Sequence, residues 1–294
     1  WSGADRPFLT EDWASPQRAE RILELLAAGK AQSVESSTAI QLDRQSLLAL
    51  QLLPAMMAGV VPTSDVQRQA LAMLKAWDGQ MARGRPEPLI FTAWLRAFGR
   101  AVYGDELGEL ANDYWGLRDD FLARVLDGRA AVWCDDKTTL EVETCPVIAG
   151  RALGMALDDL TMRLGKEPAA WRWGNVHLAA FRNALLTALP LVGRLADLSI
   201  PTDGADDTVN RGSTSLSGSR PYDHIHGAGL RAVFDLADLE RSRFMIATGQ
   251  SGNFVSGHYA DLLTPWRDGK SVTLGTKAEG GKERVLRLTP GPAR

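Results

Sequence analysis

Long apolar runs are missing from this 294-residue sequence, although 45% of its residues are hydrophobic. No stretch approaches the roughly 18 apolar residues that mark a membrane-crossing helix. The longest, Leu52 to Val61, is interrupted by Pro54 and Gly59. This pattern argues against a membrane-embedded chain. An excess of positive charge is missing too. Lys and Arg number 33 against 36 Asp and Glu, for a net charge of −3 and a pI near 5.9. A nucleic-acid binder would need a clustered basic surface instead. The N-terminus shows no signal peptide and no initiator Met, opening Trp1-Ser2-Gly3-Ala4 as a processed product or a fragment would.

Cysteine is scarce. Cys134 and Cys145 are the only two. Their separation fits a loop closed by one disulfide, contributing about 3 kcal/mol by loop entropy, and with it an exported, periplasmic or secreted location. The alternative is a pair of thiols in a reducing compartment. Zinc is a poor fit, because structural zinc sites bring closer cysteine pairs and four ligands.

Self-contained catalytic signatures are also missing. The sequence has no Gly-x-Ser-x-Gly elbow, His-Glu-x-x-His, phosphate-binding Gly-rich loop or Gly-x-Gly-x-x-Gly. A Ser/His/Asp triad has no spacing by which to recognise it. Four histidines occur, His177, His224, His226 and His258. His224 and His226 flank one residue and would share a side of a strand, as metal ligands sometimes do. One structural and one exposed histidine is the plainer expectation. The acidic pairs and triples at Asp135-Asp136 and Asp203/Asp206/Asp207 match no EF-hand spacing.

What is present is helix for more than half the length. Ser15-Pro16 reads as a helix start, Ile22, Leu25 and Leu26 as its apolar stripe, and Gly29 as its stop. Further helices are expected from about Asp43 to Pro54, Ser64 to Trp77, Pro88 onward, Asp113 to Leu126 and 146 onward, with an apolar run reaching Val192. Residues 202 to 220 are rich in Asp, Gly, Ser and Thr and read as a loop. Leu230–Leu236, Ser242–Thr248, Ser271–Leu274 and Arg284–Leu288 read as strands. The expected fold class is α+β, a mainly helical region over 1–200 followed by a loop and β-rich tail over 201–294.

Several short blocks carry a more specific signal. They are Asp12-Trp13-Ala-Ser-Pro-Gln-Arg18-Ala-Glu-Arg21-Ile22; Gln41-Leu-Asp43 leading to Leu53-Pro54; and Ala76-Trp77-Asp78-Gly79. The Trp133-Cys-Asp-Asp…Glu-Thr-Cys145 stretch and Trp171-x-Trp173-Gly174-x-x-His177 follow. Then come Asp207-Thr-Val-Asn210 and His226-Gly-Ala-Gly-Leu-Arg231-Ala-Val-x-Asp235-Leu. The last is Gly249-Gln-Ser-Gly252-Asn253 with His258-Tyr-x-Asp261-Leu and Trp266-Arg-x-Gly269. In this order, over nearly the whole chain, they resemble the β-subunit of the penicillin acylase family of N-terminal nucleophile hydrolases.

The resemblance implies an αββα fold of which this chain is the C-terminal part of the β-subunit, packing its tail on the main sheet. It implies an amidohydrolase made from a precursor, in which an N-terminal Ser attacks an amide with its own α-amino group as base. An Asn side chain and a backbone N–H hold the oxyanion. Both the Ser and the Asn fall upstream of this chain, so no catalytic residue is expected within it. Arg18 aligns with an arginine near the family's active site and is expected to orient that Asn or a substrate carboxylate. Its alternative is an exposed arginine paired with a nearby Glu. Phe8 and Leu9 are candidates for the acyl pocket, and Asp5 and Asp12 for structural calcium; no other cofactor is implied. His177 is expected to be a buried structural histidine. The family often continues Phe-x-His-Pro after that block, whereas Phe181-Arg-Asn-Ala184 stands here, so a second polar partner is lost.

The expected partners are an acyl-amide small molecule, the acylase α-subunit and the upstream part of the β-subunit. Penicillins, acyl-homoserine lactones and lipopeptides all fit as substrates. A helical binding module without chemistry and a metallohydrolase built on His224 and His226 are the rival readings.

Overall fold

The computed structural model describes Phe8, Thr10 and residues 13–29, 31–114 and 116–275. Nine helices occur among them. They are α1 (Gln17–Ala28), α2 (Val34–Gln41), α3 (Leu47–Met57), α4 (Asp65–Lys75), α5 (Glu87–Leu107), α6 (Asp119–Leu126), α7 (Cys145–Leu164), α8 (Pro190–Ala196) and α9 (Leu263–Arg267). Seven strands follow from residue 178: β1 (Leu178–Phe181), β2 (Leu198–Pro201), β3 (Gly212–Thr214), β4 (His224–Gly227), β5 (Leu230–Val233), β6 (Arg243–Ile246) and β7 (Val272–Thr273).

Helix boundaries follow local chemistry. The side chains of Ser46 and Ser64 cap α3 and α4 by accepting the N–H groups of Ala49 and Gln67. Ser33 and Ser36 form a reciprocal capping box on α2. Ser15 does not cap α1. Its hydroxyl donates to Asp119 at 2.8 Å, and Pro16 takes the cap position without a side-chain bond. The long helices α5 and α7 lie against each other at the centre of the helical half, joined by the Trp94 indole N–H donating to the Ala149 carbonyl at 2.8 Å. Leu52, Met56, Leu74, Ile90, Phe98 and Leu160 close the core around them.

The sheets are small. One has the order β2-β1-β4-β3 and the other β5-β6-β7. In the first, β1 pairs antiparallel with β2 and parallel with β4. Two differences from the sequence expectation stand out. The apolar run from Leu178 is a strand returning through β2, inside the region read as helical; a four-residue apolar run does not distinguish strand from helix. Residues 202–211 are indeed irregular, but they are buried rather than peripheral, with Thr202, Asp207 and Thr208 all below 9% exposed. The helical half followed by small sheets is the α+β arrangement expected. Arg284–Leu288 lies outside the described residues.

Candidate functional site

The buried polar loop 202–211 is the hub. Gly204 has φ +91°, and a Cβ there would stand 2.0 Å from the Asn210 carbonyl oxygen. Only glycine lets the loop close so tightly. The Thr208 hydroxyl accepts the Ala205 N–H at 2.9 Å and reaches the Asn210 carbonyl at 2.9 Å, so the loop meets its own hydrogen-bond demand away from water. Its N–H and C=O groups also reach outward. Asn210 N–H donates to the Asp43 carbonyl and Gly204 N–H to that of Met81, both at 2.8 Å.

Around this loop a polar seam draws together residues far apart in sequence. Arg21 grips Asp43 through two bonds of 3.0 and 2.8 Å. That pairing raises the guanidinium pKa above its ordinary value. Arg18, one turn earlier on α1 and exposed, reaches the Val209 carbonyl with one long contact of 3.5 Å. Arg231 on β5 donates to the Asn210 side chain at 2.9 Å and to the Trp266 carbonyl at 2.6 Å, and lies 5.1 Å over the Trp266 ring. Gln41 donates to the Ala232 carbonyl at 2.9 Å. The blocks that begin with Asp12, Gln41, Asp207, His226 and Gly249 therefore meet at one place. Arg18 stands at its solvent side, and among the described residues no carboxylate pairs with it.

Behind the seam, Trp173, His177 and His224 stack face to face, with ring separations of 4.2 and 5.1 Å. His177 Nδ1 lies 2.8 Å from the Tyr222 carbonyl. A carbonyl only accepts, so Nδ1 carries the proton and Nε2 is left with a lone pair and no partner. Burial lowers the His177 pKa to about 3, with His224 adding repulsion, and burial lowers that of His224 to about 4. Gly212 backs the pair, since a Cβ there would stand 2.7 Å from His177 Nε2.

His224 is buried with its Nδ1 2.8 Å from the Thr202 hydroxyl, whereas His226 is exposed. The two do not share a side. A register shift pairs Ser213 with His226 but Thr214 with His224, so Ile225 is an extra residue that breaks the alternation. Among the described residues no group of three or more His, Cys, Asp or Glu is placed to hold a metal ion. His258 lies exposed, 2.9 Å from Asp261.

Next to the loop a cavity of about 240 Å³ opens between α3, α5 and the start of α6, walled by Leu48, Met81, Phe91 and Leu95. Asp119, Asp206 and Asp207 also line it. Asp207 accepts the Leu48 N–H at 3.2 Å, yet burial pushes its carboxyl up to about 6. Asp119, which holds Ser15, is raised as well, first by burial.

The remaining expectations fall as follows. Cys134 and Cys145 are joined in a disulfide across 11 residues. His177 is fully buried, as expected of a structural histidine. Phe8 is exposed; Leu9, Asp5 and Asp12 lie outside the described residues. The seam partners Asp43, Asn210 and Arg231 were members of quoted blocks without an assigned role. Their signal was block membership alone, because contacts such as the Asn210 N–H to the Asp43 carbonyl join distant segments and leave no periodicity to read.

The family model described as penicillin amidase matches residues 2–282. Acyl-homoserine lactone acylase QuiP of Pseudomonas syringae pv. syringae is 28% identical over 96% of this chain and 37% of its own length. Penicillin acylase 2 proenzyme of Pseudomonas sp. strain SE83 is 29% identical over 92% of this chain and 34% of its own. The chain thus spans little more than a third of these relatives. The thermostable penicillin G acylase of Alcaligenes faecalis shares the fold, with a TM-score of 0.59 and 17% identity over 99% of this chain and 56% of that one.

Proposed function

The chain belongs to the penicillin amidase family, and on that premise we propose that it is one part of an amidohydrolase that cleaves acyl-amide bonds through an acyl-enzyme. The observation that carries this reading is the family match over residues 2–282. In this reading the nucleophilic Ser and the oxyanion Asn belong to polypeptide preceding Trp1. The described residues supply the frame against which those groups are set. The Ser hydroxyl attacks the amide carbonyl while its α-amino group takes the proton; the amine leaves, and water releases the acid. Arg18, exposed on α1 and held among the described residues by one long contact to the seam, is in this reading placed to reach an Asn side chain or a substrate carboxylate. It is a positioning residue.

The substrate class is an acyl-amide of the kind named in the relatives, a penicillin or an acyl-homoserine lactone. The Cys134–Cys145 disulfide supports a periplasmic or secreted location. The test is reconstitution. Residues 1–294 alone should hydrolyse neither a penicillin nor an acyl-homoserine lactone. Co-expressed with the preceding polypeptide, they should hydrolyse at least one, read as released amine. An inactive but assembled protein would instead favour a binding module.

A further inference from the structure

Between β1 and β2 the chain makes an excursion whose base is braced and whose apolar side chains face outward. At the base, Asp197 accepts the Asn183 N–H at 2.9 Å and the Thr187 hydroxyl at 2.7 Å. Tyr259 donates to the Ala196 carbonyl at 2.6 Å and accepts from the Asn183 side chain at 3.3 Å. Inside it, a Cβ at Gly193 would stand 3.0 Å from the backbone of Leu186 and Thr187, so α8 folds tightly onto the preceding turn. This is a shaped element rather than a loose loop.

Its outer surface is nonetheless apolar. Leu185, Leu189, Leu191 and Leu195 are 85, 51, 79 and 71% exposed. From Asn183 to Ala196 the only charged residue is Arg194, and none is aromatic. Scattered exposed leucines are ordinary; four on one braced element mark a surface that is covered in the working protein.

Two observations choose the cover. A lipid surface is matched by basic residues and interfacial aromatics beside the apolar ones, and this element has one arginine and no aromatic. The curated relatives, by contrast, extend far beyond the part matched here, since the chain spans 37% and 34% of two of them. We propose that the 183–196 excursion is a docking element, seated in an apolar groove formed by the remainder of the same acylase polypeptide. This rests on the reading of the chain as part of a longer acylase. It adds the place at which the two parts lock together.

Thiol labelling of the full-length protein tests it. Leu189→Cys and Leu191→Cys are made separately, and maleimide labelling is compared in the native and urea-unfolded states without lipid, with the unsubstituted protein as background. Docking predicts that both positions label at least about tenfold more slowly in the native state, as buried sites reached only by opening do. Equal rates in an enzyme that still hydrolyses amides would overturn docking and leave the acylase reading standing. Equal rates in a protein with no amidase activity would overturn both. Slow labelling that is lost on dilution, as the mass falls from dimer to monomer, would assign the surface to a second copy and overturn the proposal.

Discussion

His177 and His224 illustrate what burial does to a titratable pair. Stacked on Trp173 and shut away from water, both are held neutral, with pKa values near 3 and 4 against an unfolded value of 6.5. The unfolded chain therefore binds about two more protons at these residues near pH 5, and stability falls as pH drops below about 6.5. Asp207 works the other way. Its folded pKa near 6 exceeds the usual 3.8, so the native state holds an extra proton in the same window and gains as pH falls. The three groups together give a net difference of roughly one proton, or about 1.4 kcal/mol per pH unit near pH 5. Asp207→Asn should steepen that slope by roughly one further proton while retaining the oxygen that accepts from Leu48. Urea midpoints between pH 4.5 and 6, taken as about the span separating the folded and unfolded values, decide it; parallel slopes in the two proteins would refute the assignment of Asp207.

At the level of elements, the loop at 202–211 is the piece that carries others. Its composition reads as a loop, which is correct about conformation and says nothing of its buried place. Thr208 and the backbone satisfy one another so that this polar loop can sit between the helical half and the sheets. Gly204 is the residue this depends on. Gly204→Ala adds a methyl against the Asn210 carbonyl at a backbone angle that disfavours any side chain. It should cost about 3 kcal/mol and loosen Asn210, measured as a lower urea midpoint with faster amide exchange at Asn210. Retention of wild-type stability would mean that the loop is not under the constraint described. The β1–β2 pair was illegible for a different reason, because each strand is four residues long and gains its identity from its partner. Helix α2 was missed because its Val-Glu-Ser-Ser-Thr start has weak intrinsic preference and relies on the Ser33–Ser36 box.

For the whole molecule, the seam is the meeting point of chain segments that span most of the sequence. Arg21–Asp43 fixes α1 to the connection between α2 and α3, and Asn210–Arg231 fixes the hub loop to β5 and α9. Arg18 lies on the same helix as Arg21 yet contributes little to this frame, with one 3.5 Å contact among the described residues. The two arginines should therefore separate in a complete enzyme. Arg18→Ala is expected to lower kcat/KM by about 10- to 100-fold, as misplacement of a reacting group does, with an unchanged urea midpoint. Arg18→Lys should recover part of it. Unchanged kinetics in Arg18→Ala would return this residue to the solvated surface.

The sequence by itself determined the family and the helical character of the first half, and it offered the Cys134–Cys145 pairing that the structure shows, because each is written in local spacing or in ordered blocks. It also determined that His177 would be buried, through the Trp-rich block around it. Tertiary structure alone decided that Asp43, Asn210 and Arg231 work together, that a polar loop is the interior hub, and that His224 and His226 part company. Those facts depend on contacts between segments far apart in the chain, such as Asn210 with Asp43, and on one bulged residue, Ile225. Neither leaves a period in the sequence, since long-range contacts and a single extra residue are set by packing, not by spacing.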